Sequence, residues 1–231
     1  MRRDFILCGV GGQGTILASR LIAAAAMRRS LQVRAAETIG MAQRGGSVCS
    51  HLRIGEGAHS PLVPKGCADL IIAFEPGEAV RMLPYLKADG AVVCATRPVM
   101  PVSASIGRTK YDAKAMLDHL KSNVLNLTLV DVDKAAERLG TAKALNVVLL
   151  GAAVASGALG FDVAEIEAAI REKVPAKFLE LNLKALRICG TTRNHTTSGF
   201  FSTASDTTST STQRCAKRSL APLRRRMAPR L

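Results

Sequence analysis

The chain has 231 residues, 48% of them hydrophobic, only 3% aromatic and none Trp. One core of α/β size must therefore be assembled from Ala, Val, Ile and Leu. The formal charge of +14 is unevenly spread: residues 1–190 hold 24 basic and 17 acidic side chains, and residues 191–231 hold 8 and 1, so each part contributes +7.

Six cysteines (Cys8, Cys49, Cys67, Cys94, Cys189 and Cys215) form no CxxC pair. That spacing argues against a disulfide framework, a zinc ligand set or a cluster site, and for small buried or free thiols in a reducing cytoplasm. Asp4 and the glycines after Gly9 break any secretory apolar region. The longest uncharged run, residues 144–161, contains Asn146, Ser156 and three glycines. It is shorter than the roughly 20 apolar residues of a membrane span and reads as a buried core helix.

In chain order, "DFILCG" predicts a buried strand and "TILASRLIAAAAMRRS" a helix of strong Ala/Leu propensity. "LQVRAAE" alternates like a second strand, and "SVCSHLRIGEGAHSPLV" predicts a β-hairpin turning at Gly55–Gly57. "ADLIIAFEP" is a central strand, "GEAVRMLPYL" a helix and "AVVCAT" a further strand. Residues 112–122 are helical, "NLTLVDV" is a strand, and "DKAAERLG" is a short helix ended by Gly140. Three helices follow, over roughly 142–156, 162–172 and 176–186. Strands alternating with helices predict a Rossmann-like, doubly wound, mostly parallel sheet with an inserted hairpin and a helical C-terminal part. Right-handed crossovers place the first glycine loop at the sheet's carboxyl edge.

Two parts are expected: a folded domain over 1–190 and a tail over 191–231. In the tail, 14 of residues 191–213 are Ser or Thr, and residues 214–231 carry seven basic side chains and no acid. No period survives there, so the tail is expected to be disordered. It reads either as a nucleic-acid or membrane-surface arm or as a solvated or frame-shifted extension. No aromatics are interleaved with the Arg cluster to stack bases, and nucleic acid is not an expected partner.

Gly9, Gly11 and Gly14 of "GVGGQGT" match G-x-G-x-x-G between a strand and a helix. In that context the first glycine makes the turn, the second admits a pyrophosphate and the third lets helix and strand pack. Thr15 adds a hydroxyl at the helix start, and Glu37 closes the second strand 23 positions after Gly14. These features alone suggest a free-standing NAD- or FAD-dependent oxidoreductase. Gly12 and Gln13 make the loop denser and more polar than that fingerprint needs. A second loop, "TIGMAQRGGS", contains Gln43, Arg44, Gly45 and Gly46. Arg44 is either a bidentate clamp for a carboxylate or phosphate or an ordinary surface Arg. Met41 either lines an aromatic substrate pocket or simply packs.

Elsewhere, His51 and His59 are expected to be exposed hairpin histidines. Asp131 and Asp133 are candidates for a helix cap, and Glu75 and Glu78 favour a helix N-terminal dipole.

The segments "GVGGQGT", "ETIGMAQRGGSVCSHLRIG", "GCADLIIAFEPGEAVR" and "NVVLLGAAVASG" together resemble the gamma-type subunits of 2-oxoacid:ferredoxin oxidoreductases. Within that family the chain is most similar to small subunits of the indolepyruvate type, over about Arg3–Leu186. The resemblance implies a non-catalytic, Rossmann-like subunit, inactive alone, of a cytoplasmic complex that oxidatively decarboxylates a 2-oxoacid. It implies a large partner bearing thiamine diphosphate, magnesium and iron–sulfur clusters, with coenzyme A as acyl acceptor and ferredoxin as electron acceptor. No cofactor, metal or catalytic residue is assigned to this chain. Gly9, Gly11, Gly12, Gln13, Gly14, Thr15, Met41, Gln43, Arg44, Gly45 and Gly46 are expected to form adjacent loops contacting either the complex's ligands or only its partner.

Overall fold

The computed structural model describes residues 2–39, 45–57, 59–100 and 111–189. The expected tail over 191–231, and the loop residues Met41, Gln43 and Arg44, lie outside them. Six strands, β1 (Arg3–Val10), β2 (Val33–Ile39), β3 (Ser47–Ile54), β4 (Ala68–Ala73), β5 (Leu86–Ala95) and β6 (Asn126–Val130), form one sheet in the order β2-β3-β1-β4-β5-β6. β1, β4, β5 and β6 run parallel; β3 is antiparallel to both β1 and β2. The described helices are α1 (Thr15–Arg28), α2 (Pro76–Met82), α3 (Ala113–Asn123), α4 (Val132–Leu139), α5 (Leu145–Ala155), α6 (Val163–Lys173) and α7 (Ala176–Ile188).

Alternation along the strands sends Phe5 and Leu7 of β1 to one face, under α1 and α4 to α7. It sends Ile6 and Cys8 to the other, under α2 and α3. α5 is buried on every side, as a run of residues such as Val147, Val148, Leu149 and Leu150 requires. Gly151 lets α7 approach it: a Cβ there would stand 2.1 Å from the Leu186 carbonyl oxygen. Helix boundaries follow local chemistry. Asp131 caps α4 through the Lys134 N–H, Gly140 ends α4 at φ 73°, and Asp162 with Glu165 forms a capping box on α6.

The hairpin differs from its sequence expectation. β3 pairs with β2 across residues 40–46 and inserts between β2 and β1, and among the described residues no strand follows Gly55 before Ala68. Two causes are visible. Pro61 and Pro64 interrupt any ladder after the Gly55–Gly57 turn. Arg53, buried on β3, donates to the Ser60 and Leu62 carbonyls at 3.1 and 3.3 Å while pairing with buried Asp4 at 2.8 Å. A guanidinium fork thus satisfies backbone that a strand would otherwise have paired.

Candidate functional site

The carboxyl edge of the sheet gathers the first glycine loop after β1, the start of β3, the start of α2 after β4, and the ends of β5 and β6. β1 is followed by α1 on one face and β4 by α2 on the other. The crevice between the ends of β1 and β4 is therefore the topological switch point, where open α/β sheets receive ligands.

Gln13 fills that crevice. Its Oε1 accepts the Val10 N–H at 2.7 Å, and its Nε2 donates to the Phe74 carbonyl at 2.9 Å. The turn beneath is closed by the Gln13 N–H donating to the Val10 carbonyl at 3.1 Å. Gly9 is required by this packing: a Cβ there would lie 2.7 Å from Gln13 Oε1 and 2.9 Å from Phe74 Cβ. Gly14 adopts the left-handed conformation (φ 81°) at the α1 N-cap. A Cβ on it would meet Asn146 Nδ2 at 2.6 Å, and that amide donates to the Gly14 carbonyl at 3.3 Å. Thr15 is buried, whereas Gly12 is exposed, with φ 102°.

The two glycine loops are in contact. The Gly11 N–H donates to the Gly46 carbonyl at 2.8 Å, and the Gly45 N–H returns to the Gly11 carbonyl at 3.5 Å. Gly45 is exposed and Gly46 half-buried.

Two carboxylates lie under this edge. Glu75 caps α2 by accepting the Glu78 N–H at 2.9 Å, and its other oxygen accepts the Tyr111 hydroxyl. Glu78 accepts the Ser47 hydroxyl at 2.6 Å and pairs with Arg81 at 3.2 Å. Both are almost wholly buried, at 2% and 5% exposure, which a surface dipole role would not require. Burial, and then the hydrogen bond to Glu75, push the Tyr111 phenol well above its ordinary value. The sulfurs of Cys49 and Cys94 are pushed up to about 11 and about 12, and Cys8 rises as well, each mainly by burial. These thiols are packing residues rather than nucleophiles.

His51 is buried, against the expectation of an exposed histidine. Its Nδ1 accepts the Val63 N–H at 3.2 Å and its ring meets Tyr85 edge-on at 5.7 Å. Burial lowers its pKa. His59 is exposed. Asp133 is held by Arg97 at the ends of β5 and β6. Among the described residues no group of His, Cys, Asp and Glu could hold a metal ion.

The acidic residue expected to hold a ribose is misplaced for that task. Glu37 lies level with Ser50 of β3, which lies level with Leu7 of β1. It is thus two strands, about 10 Å, from β1, and beside its middle rather than beyond its end. A filled switch point and a displaced acid do not fit a dinucleotide. Sequence reasoning missed Asn146, Phe74, Ser47 and Tyr111. The single amide in the apolar run of α5 was the one signal that could have singled out Asn146.

Residues 4–189 match the pyruvate ferredoxin/flavodoxin oxidoreductase family. An indolepyruvate oxidoreductase subunit IorB from Archaeoglobus fulgidus is 41% identical over 81% of this chain and 94% of its own. Its namesake from Thermococcus kodakarensis is 37% identical over 80% and 93%. The fold is similar to that of a pyruvate oxidoreductase subunit PORC from Thermotoga maritima, with a TM-score of 0.60 over 82% of this chain and 95% of that one at 21% identity. No helix among the described residues is long and apolar enough to cross a membrane. With a family match over residues 4–189 and 41% identity across 81% of its length, the chain belongs to the pyruvate ferredoxin/flavodoxin oxidoreductase family.

Proposed function

We propose that this chain is the small, non-catalytic subunit of a ferredoxin-dependent complex that oxidatively decarboxylates 2-oxoacids of the indolepyruvate or arylpyruvate type. The observation that carries this reading is the 41% identity to an indolepyruvate oxidoreductase subunit, extending over nearly all of that subunit's length. In this reading the large partner holds thiamine diphosphate, magnesium and the iron–sulfur clusters. Coenzyme A takes the acyl group, ferredoxin takes the electrons, and the complex is cytoplasmic.

The carboxyl edge is the surface we assign to the partner. Gln13 is engaged inward and Thr15 is buried, so the outward parts are the backbone at Gly11, Gly12, Gly45 and Gly46. Close backbone approach there favours glycine. Arg44, in the same second loop, is the side chain we assign to a carboxylate or phosphate.

Co-expression with the large subunit tests the proposal. The two chains should co-elute and reduce ferredoxin in the presence of an arylpyruvate and coenzyme A, while this chain alone should be inactive. Separate elution, with NAD or FAD retained by this chain, would overturn it. In the assembled complex, Arg44→Ala should raise the apparent KM for coenzyme A or the oxoacid. Unchanged values for both would leave the loop an interface only.

A further inference from the structure

We propose that Gln13 is a specificity-determining plug, whose carboxamide occupies the switch-point crevice in place of a pyrophosphate and so denies the loop to free dinucleotides. Four observations converge. The crevice lies where β1 and β4 part toward helices on opposite faces. Gln13 spans it, one end on the Val10 N–H at 2.7 Å and the other on the Phe74 carbonyl at 2.9 Å. Gly9 leaves room for this side chain and for no Cβ of its own. The loop also turns back on its partner loop through Gly11 and Gly46, so its amide at Gly11 is already used.

A glutamine suits this position because its amide is donor and acceptor at once. Phosphate oxygens would accept from Val10 N–H but have nothing to donate to the Phe74 carbonyl. Asparagine is one methylene shorter, and glutamate, when ionised, has no proton for Phe74. Replacing the side chain by a methyl group vacates the crevice, leaving the Val10 N–H free to donate at the edge of a glycine loop, where anions are favoured. The inference rests on the geometry of this chain alone, so failure to assemble with a large subunit would leave it standing.

The test uses the full-length chain, with inorganic pyrophosphate and NAD+ as probes in calorimetric titration. The wild type should show no saturable binding of either. Gln13→Ala should bind pyrophosphate at least about tenfold more tightly than the wild type, which is about 1.4 kcal/mol. A folded Gln13→Ala with no gain for either probe overturns the proposal, as does a wild type that already binds as tightly as the variant. Should Gln13→Ala fail to fold, Gln13→Asn decides: its carboxamide, one methylene shorter, cannot reach the Val10 N–H and the Phe74 carbonyl together, and it should gain pyrophosphate binding in the same titration. A folded Gln13→Asn with no gain for either probe overturns the proposal.

Discussion

On the sheet face beneath α1 and α4 to α7, the buried strand side chains include Phe5, Leu7, Leu52, Ile54, Leu70, Ile72 and Val93. On the face beneath α2 and α3 they include Ile6, Cys8, Cys49, Ile71, Val92 and Cys94, and Asp4, His51 and Arg53 are buried on the same alternation. The first face is held by area removed from water, which is indifferent to direction. The second depends on pairing, because each buried polar group there costs free energy unless its partner is in place. Glu75 and Glu78 extend the second pattern to the carboxyl edge, so the face that shapes the candidate site is also the less tolerant one.

The largest effect is expected where the second face can be broken most cleanly. Arg53→Met removes the fork that joins Asp4 to the Ser60 and Leu62 carbonyls, leaving a carboxylate that is 3% exposed. Losing one member of a buried pair typically costs about 3–5 kcal/mol. Urea denaturation of Arg53→Met should show a loss of that order, and Asp4→Leu with Arg53→Met should recover most of it. A single variant within about 1 kcal/mol of the wild type would mean the second face is no more dependent on pairing than the first.

The first face has one point at which it should be nearly as brittle. Gly151→Ala drives a methyl group to 2.1 Å from the Leu186 carbonyl oxygen, and to 2.9 Å from its carbonyl carbon. Neither is the far end of a flexible side chain, so α5 and α7 must separate. Overpacking of this kind costs about 1–3 kcal/mol, and the upper end is expected because backbone has to move. Thermal unfolding of the variant measures this. An unchanged midpoint would show that the two helices can part without loss, and so that shape matters little on this face.

Much of this architecture was legible in the sequence. The short apolar runs in "DFILCG" and "ADLIIAF", the apolar continuity of α5 and the Gly140 stop placed the strands and helices, because burial and backbone propensity act over a few residues. The hairpin was misread because its pairing is decided elsewhere: Arg53 reaches to Asp4 and to carbonyls at 60 and 62, contacts that no local pattern encodes. The site was legible only in part for the same reason. G-x-G-x-x-G and Glu37 are each where a dinucleotide fingerprint puts them in sequence, yet inserting β3 moves Glu37 two strands away. Gln13 bonds to Phe74, 61 positions on, and Tyr111 to Glu75, 36 positions back. His51 was misplaced because burial of β3 on its outer face follows from the cover of Val63 and Tyr85, not from its own neighbours.

The smallest effect sharpens the contrast from the apolar side. Ser50 is wholly buried on β3, level with Leu7 and on the same face, and its Oγ is the one buried side-chain polar atom among the described residues with no hydrogen-bond partner. The buried strand side chains around it on that face, such as Leu7, Leu52 and Leu70, are apolar, so this hydroxyl has been taken from water without compensation. Leaving a buried donor unmade costs about 1–3 kcal/mol, and deleting it removes that cost while sacrificing only the contacts of one oxygen atom. Ser50→Ala should therefore stabilise the chain by about 1 kcal/mol, read as a higher urea midpoint at an unchanged m-value. The same substitution at Ser47, whose hydroxyl is given to Glu78 at 2.6 Å, should lower the midpoint instead. Opposite signs for two serines three residues apart on one strand are what the division between the faces requires; equal signs would dissolve it.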